Sequence, residues 1–292
     1  DYIPARLWLA NLLDQLGRLP EQGIVLRDAM ALDPLNELLA INYAYNLNAR
    51  GQPGEARALL EDLVRIKPES LNLLRTLSGL MVQQGDLVAG WEYARRALDL
   101  ELEDPLVWQA MANVWMELGE MERAEELLAD ALEAAGENAE LQSQYFMVLA
   151  VAGRFGEAER VNRELFGTDV EALPVHMQRR YHSQLGFLRL LQERYEEALA
   201  EYEQVIDEEP GYGFKGDQLF ALTIAAKLHR EFGEQERYED LLAAADRFLE
   251  RARLNGVDNP EFHYAESVVL VLKGREQDAL EALQTSYDRG WR

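Results

Sequence analysis

The chain has 292 residues, 48% of them apolar, which is enough to bury a large core and excludes global disorder. Its 29 basic residues against 53 acidic ones give a formal charge of −24, which repels nucleic-acid phosphates and anionic lipid and argues against either as a direct partner. The absence of cysteine excludes disulfides, thiolate metal sites and a cysteine nucleophile, and no apolar run approaches the roughly 20 residues that span a bilayer.

Glycines fall at Gly17, Gly51, Gly85, Gly119 and Gly153, each 34 residues after the last. A period of this size marks one supersecondary unit copied along the chain, each copy too small to bury its own apolar face. With each glycine as position 15, five units run 3–36, 37–70, 71–104, 105–138 and 139–172. Small residues recur seven positions before the glycine (Ala10, Ala44, Ser78, Ala112) and five after it (Ala56, Gly90, Ala124, Ala158), where two helices can cross closely. Phe146 and Gln22 break that rule. Between glycines the apolar spacing is helical, as in Leu59, Leu60, Leu63 and Ile66. Each glycine is expected to end a first helix in the left-handed region, and Pro34 or Pro68 to stop the second.

Spacing loosens over 173–292, where three further units are expected near 179–212, from Leu219 with a turn at Gly233, and from Pro260 with a turn at Gly274. The turn position of unit six is Glu193, not glycine. Extra residues in Asp169–Gln178, Gly211–Gln218 and Arg253–Asn259 are expected to form loops between units. Unit seven carries Tyr238 at a small position and a long second helix reaching about Arg253. The run Val268–Leu272 suits a strand, but the Asn259–Pro260 start and Gly274 favour a buried helix.

Motifs for chemistry are weak. Gly211, Gly213 and Gly216 spell GxGxxG, but no strand precedes them, so a loop reading stands over a dinucleotide one. The histidines His176, His182, His229 and His263 lack the spacing of a zinc helix. Asp207, Glu208 and Glu209, with Glu203 one turn earlier, crowd a helix end and read as a solvated face or a weak site for a cation or basic peptide. Trp108, Met111 and Trp115 read as core, and Trp91 as half-buried. No catalytic constellation, cofactor or metal site is expected.

The units resemble the tetratricopeptide repeat: Tyr43-Ala44, Leu47, Gly51, Ala56, Leu60 and Pro68 in unit two, and Trp108, Met111-Ala112, Gly119, Ala124 and Ala131 in unit four. The segment Tyr195–Pro210 resembles its most typical second helix. The resemblance implies an all-α, right-handed α-solenoid of about eight helix-turn-helix units whose first helices line a concave groove. The groove positions would hold Asn11, Asn42, Tyr45, Asn72, Arg75, Gln109, Asn113, Gln144, Met147, Arg180, Gln184 and Phe187. Amides there could hold a peptide backbone, and Tyr45, Met147 and Phe187 could take its apolar side chains; equally, such residues could only keep the inner face wet. Asn11 and Asn42 match the family's clamp for chaperone tails, but Leu7, Asn72 and Thr76 replace its basic residues, which speaks against that ligand.

The leading expectation is therefore a scaffold or adaptor for a protein or extended peptide, which could be basic. A second is a sensory arm of a larger bacterial regulator or cyclase, because ALEALQTSYDRGWR resembles the last repeat of such arms; a third is the repeat region of a transferase. Starting at Asp1, the chain reads as a piece of something longer, and cytoplasm and periplasm suit it equally. The last unit lacks a solvating helix after Trp291, so Leu283 and Tyr287 are expected to be exposed and available for self-association.

Overall fold

The structure is a computed structural model that describes residues 2–100, 104–136, 138–206 and 216–290. The described residues form helices paired in antiparallel hairpins, with no strand among them. The pairs are α1 (Ile3–Gln15) with α2 (Leu19–Met30), α3 (Glu37–Ala49) with α4 (Pro53–Ile66), and α5 (Leu71–Gln83) with α6 (Leu87–Leu100). Next come α7 (Pro105–Glu117) with α8 (Met121–Ala135), α9 (Ala139–Val151) with α10 (Phe155–Phe166), and α11 (Val175–Leu191) with α12 (Tyr195–Glu203). The last two are α13 (Gly216–Glu231) with α14 (Gln235–Leu254), and α15 (Pro260–Leu272) with α16 (Glu276–Asp288). Odd-numbered helices pack on one another from unit to unit, as α3 on α5, α5 on α7 and α7 on α9. The result is an α-solenoid.

Local chemistry sets both ends of the first helices. Asn36, Ser70, Asp104 and Asn138, spaced by one repeat, each accept a hydrogen bond from the backbone of the first turn that follows. At the other end Gly17, Gly51, Gly85, Gly119 and Gly153 adopt φ of 67° to 76°, and the next residue donates back across the turn, as Gln52 N–H to Leu47 O at 2.8 Å. Glu193 takes the same conformation at φ 59° and is the one non-glycine residue with positive φ among those described.

Packing inside the units follows the small-residue positions, with exceptions filled by exchange. Ala44, Ala56, Ala112, Ala124 and Ala158 have no exposure. At Gly90 a side chain would press within 2.8 Å of Val82, so the close crossing needs glycine there. Gly186 makes room for Tyr202, whose ring lies 3.0 Å from where a β-carbon would stand. Tyr238, at a small position, is buried and donates its hydroxyl to Leu272 O. Ile66, read as part of an apolar stripe, is the last residue of α4 and is 61% exposed.

Several expectations shift in the irregular region. The stretch 169–178 holds a short 3-10 turn (Val170–Ala172), and its last residues already belong to α11. Gly216, expected in a loop, opens α13, while Gly211 and Gly213 lie outside the described residues, as do Asp207, Glu208 and Glu209. The helix expected over 195–210 ends at Glu203. Val268–Leu272 is helical within α15, capped by Asn259, which accepts from Phe262 N–H at 2.9 Å.

The far end of the array turns back to the near end. After α14, Asp258 N–H donates to Ala49 O at 2.9 Å. Gly256, at φ +81°, sits against the Pro20 ring, 3.0 Å from the place of a β-carbon. Arg289 binds the Asp258 carbonyl at 2.8 Å and its carboxylate at 2.7 Å, and the same guanidinium lies against Gly51. Leu19 belongs to the buried cluster of Val257, Phe262 and Leu249, with Ala49 packed against it. The last unit is therefore partly covered by units one and two, while Leu283 and Tyr287 are 42% and 56% exposed.

Candidate functional site

The first helices place their middle and C-terminal turns side by side. Asn11 and Asp14 from α1, Asn42, Tyr45, Asn46 and Asn48 from α3, Gln83 from α5 and Glu117 from α7 line one cavity of about 770 Å³. Asn259, Pro260 and Glu261 from the start of unit eight close it from the opposite side. Asn11, Asn42 and Tyr45 are thus the groove candidates that the fold brings together in this cavity. Tyr45 is half exposed and presents its ring to the space.

Three of the seven expected amides, Asn42, Asn113 and Gln144, are engaged within the chain, as are Asn46, Asn48 and Gln83 beside them. Asn42 Nδ2 donates to Leu38 O of its own helix at 2.7 Å. Gln144 Nε2 donates to Asn113 Oδ1 at 2.6 Å, and Asn48 Nδ2 to Gln83 Oε1 at 3.3 Å, each pair joining successive units. Asn46 is buried and donates to Leu19 O at 2.8 Å and Gln22 Oε1 at 2.7 Å. An amide has both a donor and an acceptor end, so residues facing one another across a unit boundary satisfy each other as readily as they would a ligand. The expected cations are similarly held: Arg75 lies 3.9 Å from Asp104, and Arg180 3.2 Å from Glu140. Asn72 is exposed; Gln109, Met147 and Phe187 are half-buried. Gln184 is buried at 8% exposure, so it offers a partner little surface.

Asn46, Asn48, Gln83 and Glu117 were not among the sequence candidates, although Asn48 falls at position 12 of its unit and Gln83 and Glu117 at position 13 of theirs, places that recur every 34 residues; Asn46, at position 10, carries no such signal. The contribution of Asn259–Glu261 carries no sequence signal, since some 210 residues separate it from Asn48.

The second cavity on the first helices is apolar. Leu219, Phe220, Thr223 and Ile224 of α13 face Tyr264, Ala265 and Val268 of α15 across about 260 Å³, with Glu261 on its rim as well. Phe220 and Tyr264 are 46% and 40% exposed.

Three of the four histidines, His182, His229 and His263, are bound to carboxylates. His182 Nδ1 lies 2.7 Å from Glu201 and His229 Nε2 2.7 Å from Glu203. Asp207, the like-charged neighbour expected one turn on from Glu203, lies outside the described residues, and Glu203 accepts from Arg237 at 2.8 Å. Burial pushes its carboxyl up, but hydrogen bonds from Arg237 and His229 outweigh this and hold it below the usual carboxylate range. His263 lies 2.8 Å from Asp258 and 3.6 Å from Glu266, and hydrogen bonding to Glu266 and then Asp258 raises its pKa despite burial. Among the described residues no group of three His, Asp or Glu side chains is placed to hold a metal ion, and no helix is long and apolar enough to cross a membrane.

No family model matches the chain, and no curated protein sequence matches it either. Solved structures do. The chain aligns with the APC/C hetero-tetramer Cut9–Hcn1 at TM-score 0.55 and 14% identity, over 97% of this chain and 52% of that one. It thus spans about half the length of that protein. It aligns with a tetratricopeptide repeat protein from Parabacteroides merdae at TM-score 0.51 and 16% identity, over 88% of this chain and 94% of that one. The human IFIT1 dimer with m7Gppp-AAAA gives TM-score 0.57 and 15% identity, over 96% of this chain and 61% of that one. At such identities the likeness is one of fold. The repeating αL turns, the capped first helices and these superpositions agree: the chain has the tetratricopeptide-repeat fold, an α-solenoid.

Proposed function

We propose that this chain is a scaffold or adaptor that binds a protein or extended peptide along the wall of its first helices. The observation that carries the reading is the convergence of Asn11, Asn42 and Tyr45 on one large open cavity. A wall of this kind presents a rigid row of amide and aromatic groups, so an extended chain laid across it loses little extra ordering entropy on the protein side. Asn72, Arg75, Gln109, Asn113, Met147, Arg180 and Phe187 extend the same wall through units three to six. The −24 charge opposes nucleic acid as a ligand and favours a partner with basic character.

The test is capture of partners from the native source by the wild-type chain and by Asn42→Ala/Tyr45→Ala. Loss of a captured protein in the double variant, with the helical spectrum and melting temperature retained, is the expected result. Equal capture by both removes these residues from the binding surface.

A further inference from the structure

The linker between α14 and α15 meets the first-helix wall in the way an extended peptide would. Val257 and Asp258 lie outside any helix, and Asn259 is extended, with φ −85° and ψ 166°. Asp258 N–H donates to Ala49 O at 2.9 Å. Ala49 is the last residue of α3, and the residue four positions on is Pro53, which has no N–H to offer that carbonyl. Val257 is buried in the cluster that contains Leu19. Asn259, Pro260 and Glu261 then line the same cavity as Asn11, Asn42, Tyr45 and Ala49. A main-chain donor on an open helix-end carbonyl, with an apolar side chain in the hollow beside it, is how an extended segment docks. The end of α16 backs this linker: Arg289 grips Asp258 and lies against Gly51, and Gly290 packs on the backbone of Gln84. That seat is imperfect. Gln84 Nε2, and Oε1 of Gln52 next to Gly51, are buried with no hydrogen-bond partner among the described residues. Polar atoms left unsatisfied weaken a contact, so this one parts more readily than one with every group paired.

We propose, resting on the reading of the first-helix wall as a partner-binding surface, that residues 256–261 are an autoinhibitory strap: the chain's own extended segment occupies the wall at units one and two, and a partner gains that end of the wall only when the strap leaves it. Partner and strap compete for the Ala49 carbonyl and the hollow at Leu19. Each therefore weakens the other by the same factor, and the apparent affinity for a partner falls with the fraction of chains that are open. Arg289 is the catch, because one guanidinium holds the strap at Asp258 and reaches the unit-two turn at Gly51. A single buried cluster joins Tyr202 of unit six to Leu222 of unit seven and Phe262 of unit eight, so the last units swing away as one body and carry the strap with them. Small rotations summed over the preceding interfaces open such an array without unfolding any unit.

The chain has no cysteine, so single thiols report the cover directly. Ala49→Cys places one where the side chain packs against the Val257 cluster, and Gln109→Cys places one on the wall of unit four. Their reaction with a fluorescent maleimide is timed in the whole chain, with and without Arg289→Glu, which sets like charge against Asp258. Arg289→Glu is expected to speed the Ala49→Cys thiol about tenfold or more and to leave the Gln109→Cys thiol unchanged. Circular dichroism checks that each variant keeps its helices. In a second arm, a reducible bismaleimide joins Gln52→Cys to Asp288→Cys and fixes the strap shut. Capture of native partners by this chain is measured before and after the tether is reduced, and is expected to rise several-fold on reduction.

Equal Ala49→Cys rates with and without Arg289→Glu, or a rise at Gln109→Cys as large as at Ala49→Cys, overturns the strap. So does capture that is the same before and after reduction of the tether but is lost in Asn42→Ala/Tyr45→Ala; the wall then stands as a binding surface without a strap. If Asn42→Ala/Tyr45→Ala captures as well as wild type, the wall reading itself fails and the inhibitory role falls with it, a failure told apart from the first because the thiol rates still report the cover.

Discussion

The first five units and the last three build the same hairpin by different means. In the former, a glycine ends each first helix, small residues mark every crossing position but those of Gln22 and Phe146, and a polar cap recurs at Asn36, Ser70, Asp104 and Asn138. In the latter, Glu193 replaces the glycine, Tyr238 occupies a small position, and Gly186 yields its space to Tyr202. A repeat tolerates such exchange when the volume is balanced across the interface, because close packing depends on the sum of facing side chains more than on any one of them. Irregularity also frees the chain to do something the regular units do not. The linker after α14 leaves the repeat geometry and reaches units one and two, and through it the array closes on itself.

The strongest way to break this contrast is to remove a side chain from the closure. Phe262, 2% exposed in the cluster that contains Leu19 and Val257, should cost about 3–5 kcal/mol when cut to alanine. Urea unfolding reads the loss, and small-angle scattering should show a larger radius of gyration as the ends part. Leu77→Ala in unit three should destabilise by a similar 2–5 kcal/mol while leaving the ends together before unfolding, so an equal expansion in both variants would count against a specific closure.

Glycines sharpen the comparison next. Gly51 and Gly119 share a positive φ, but a β-carbon on Gly51 would stand 2.5 Å from Asp258 O, while none of the described neighbours comes within 4 Å at Gly119. Gly119→Ala should cost about 1–2 kcal/mol, the strain of the left-handed backbone alone. Gly51→Ala should cost more and should also open the junction. Equal melting temperatures for the two variants would refute the contact. The lack of native cysteine allows a spin-label pair placed at Gln52 and Asp288 to follow the opening directly.

Two small gains are expected in the irregular half. Glu193→Gly relieves the same left-handed strain and should stabilise by up to about 1 kcal/mol, where the regular units already have glycine. Tyr202 is 1% exposed and its hydroxyl has no partner, so Tyr202→Phe should raise stability by about 1 kcal/mol by removing an unsatisfied buried group. A lower melting temperature for Tyr202→Phe would mean that the hydroxyl is satisfied in solution.

The smallest effect is on pH. The His263 pKa is raised from its ordinary 6.5 by Glu266 and Asp258, so its contribution is full below 6.5 and is lost as pH rises through the raised value. The Glu266 pKa is lowered from its ordinary 4.5 mainly by His263, so its contribution is present above 4.5 and is lost as pH falls through the lowered value. Arg289 on Asp258 and Arg253 on Glu266 remain charged throughout. Wild type minus His263→Gln stability should therefore peak between pH 4.5 and 6.5 and fall on both sides. A flat difference would show that the pair does nothing for the junction.

Much of this architecture was legible in the residues. The 34-residue step of the glycines located the turns, and helical apolar spacing located the buried stripes, because a turn and an amphipathic face are properties of a few neighbouring residues. The caps at Asn36, Ser70, Asp104 and Asn138 were equally local and could have been found by the same periodicity. Gln184 and Asn46 show where local reading stops: both have the polar character of a surface, yet both are buried, Asn46 against Leu19 and Gln22 of the preceding unit.

By itself, then, the sequence determined the hairpin, its copying along the chain and the acidic character of the whole, since propensity, periodicity and charge are written residue by residue. The tertiary structure alone decided which amides face each other, which carboxylates share a cavity, and that Asp258 meets Ala49. Small rotations accumulate from one unit to the next, and the place where the last unit arrives depends on every interface before it, which no short stretch of residues encodes.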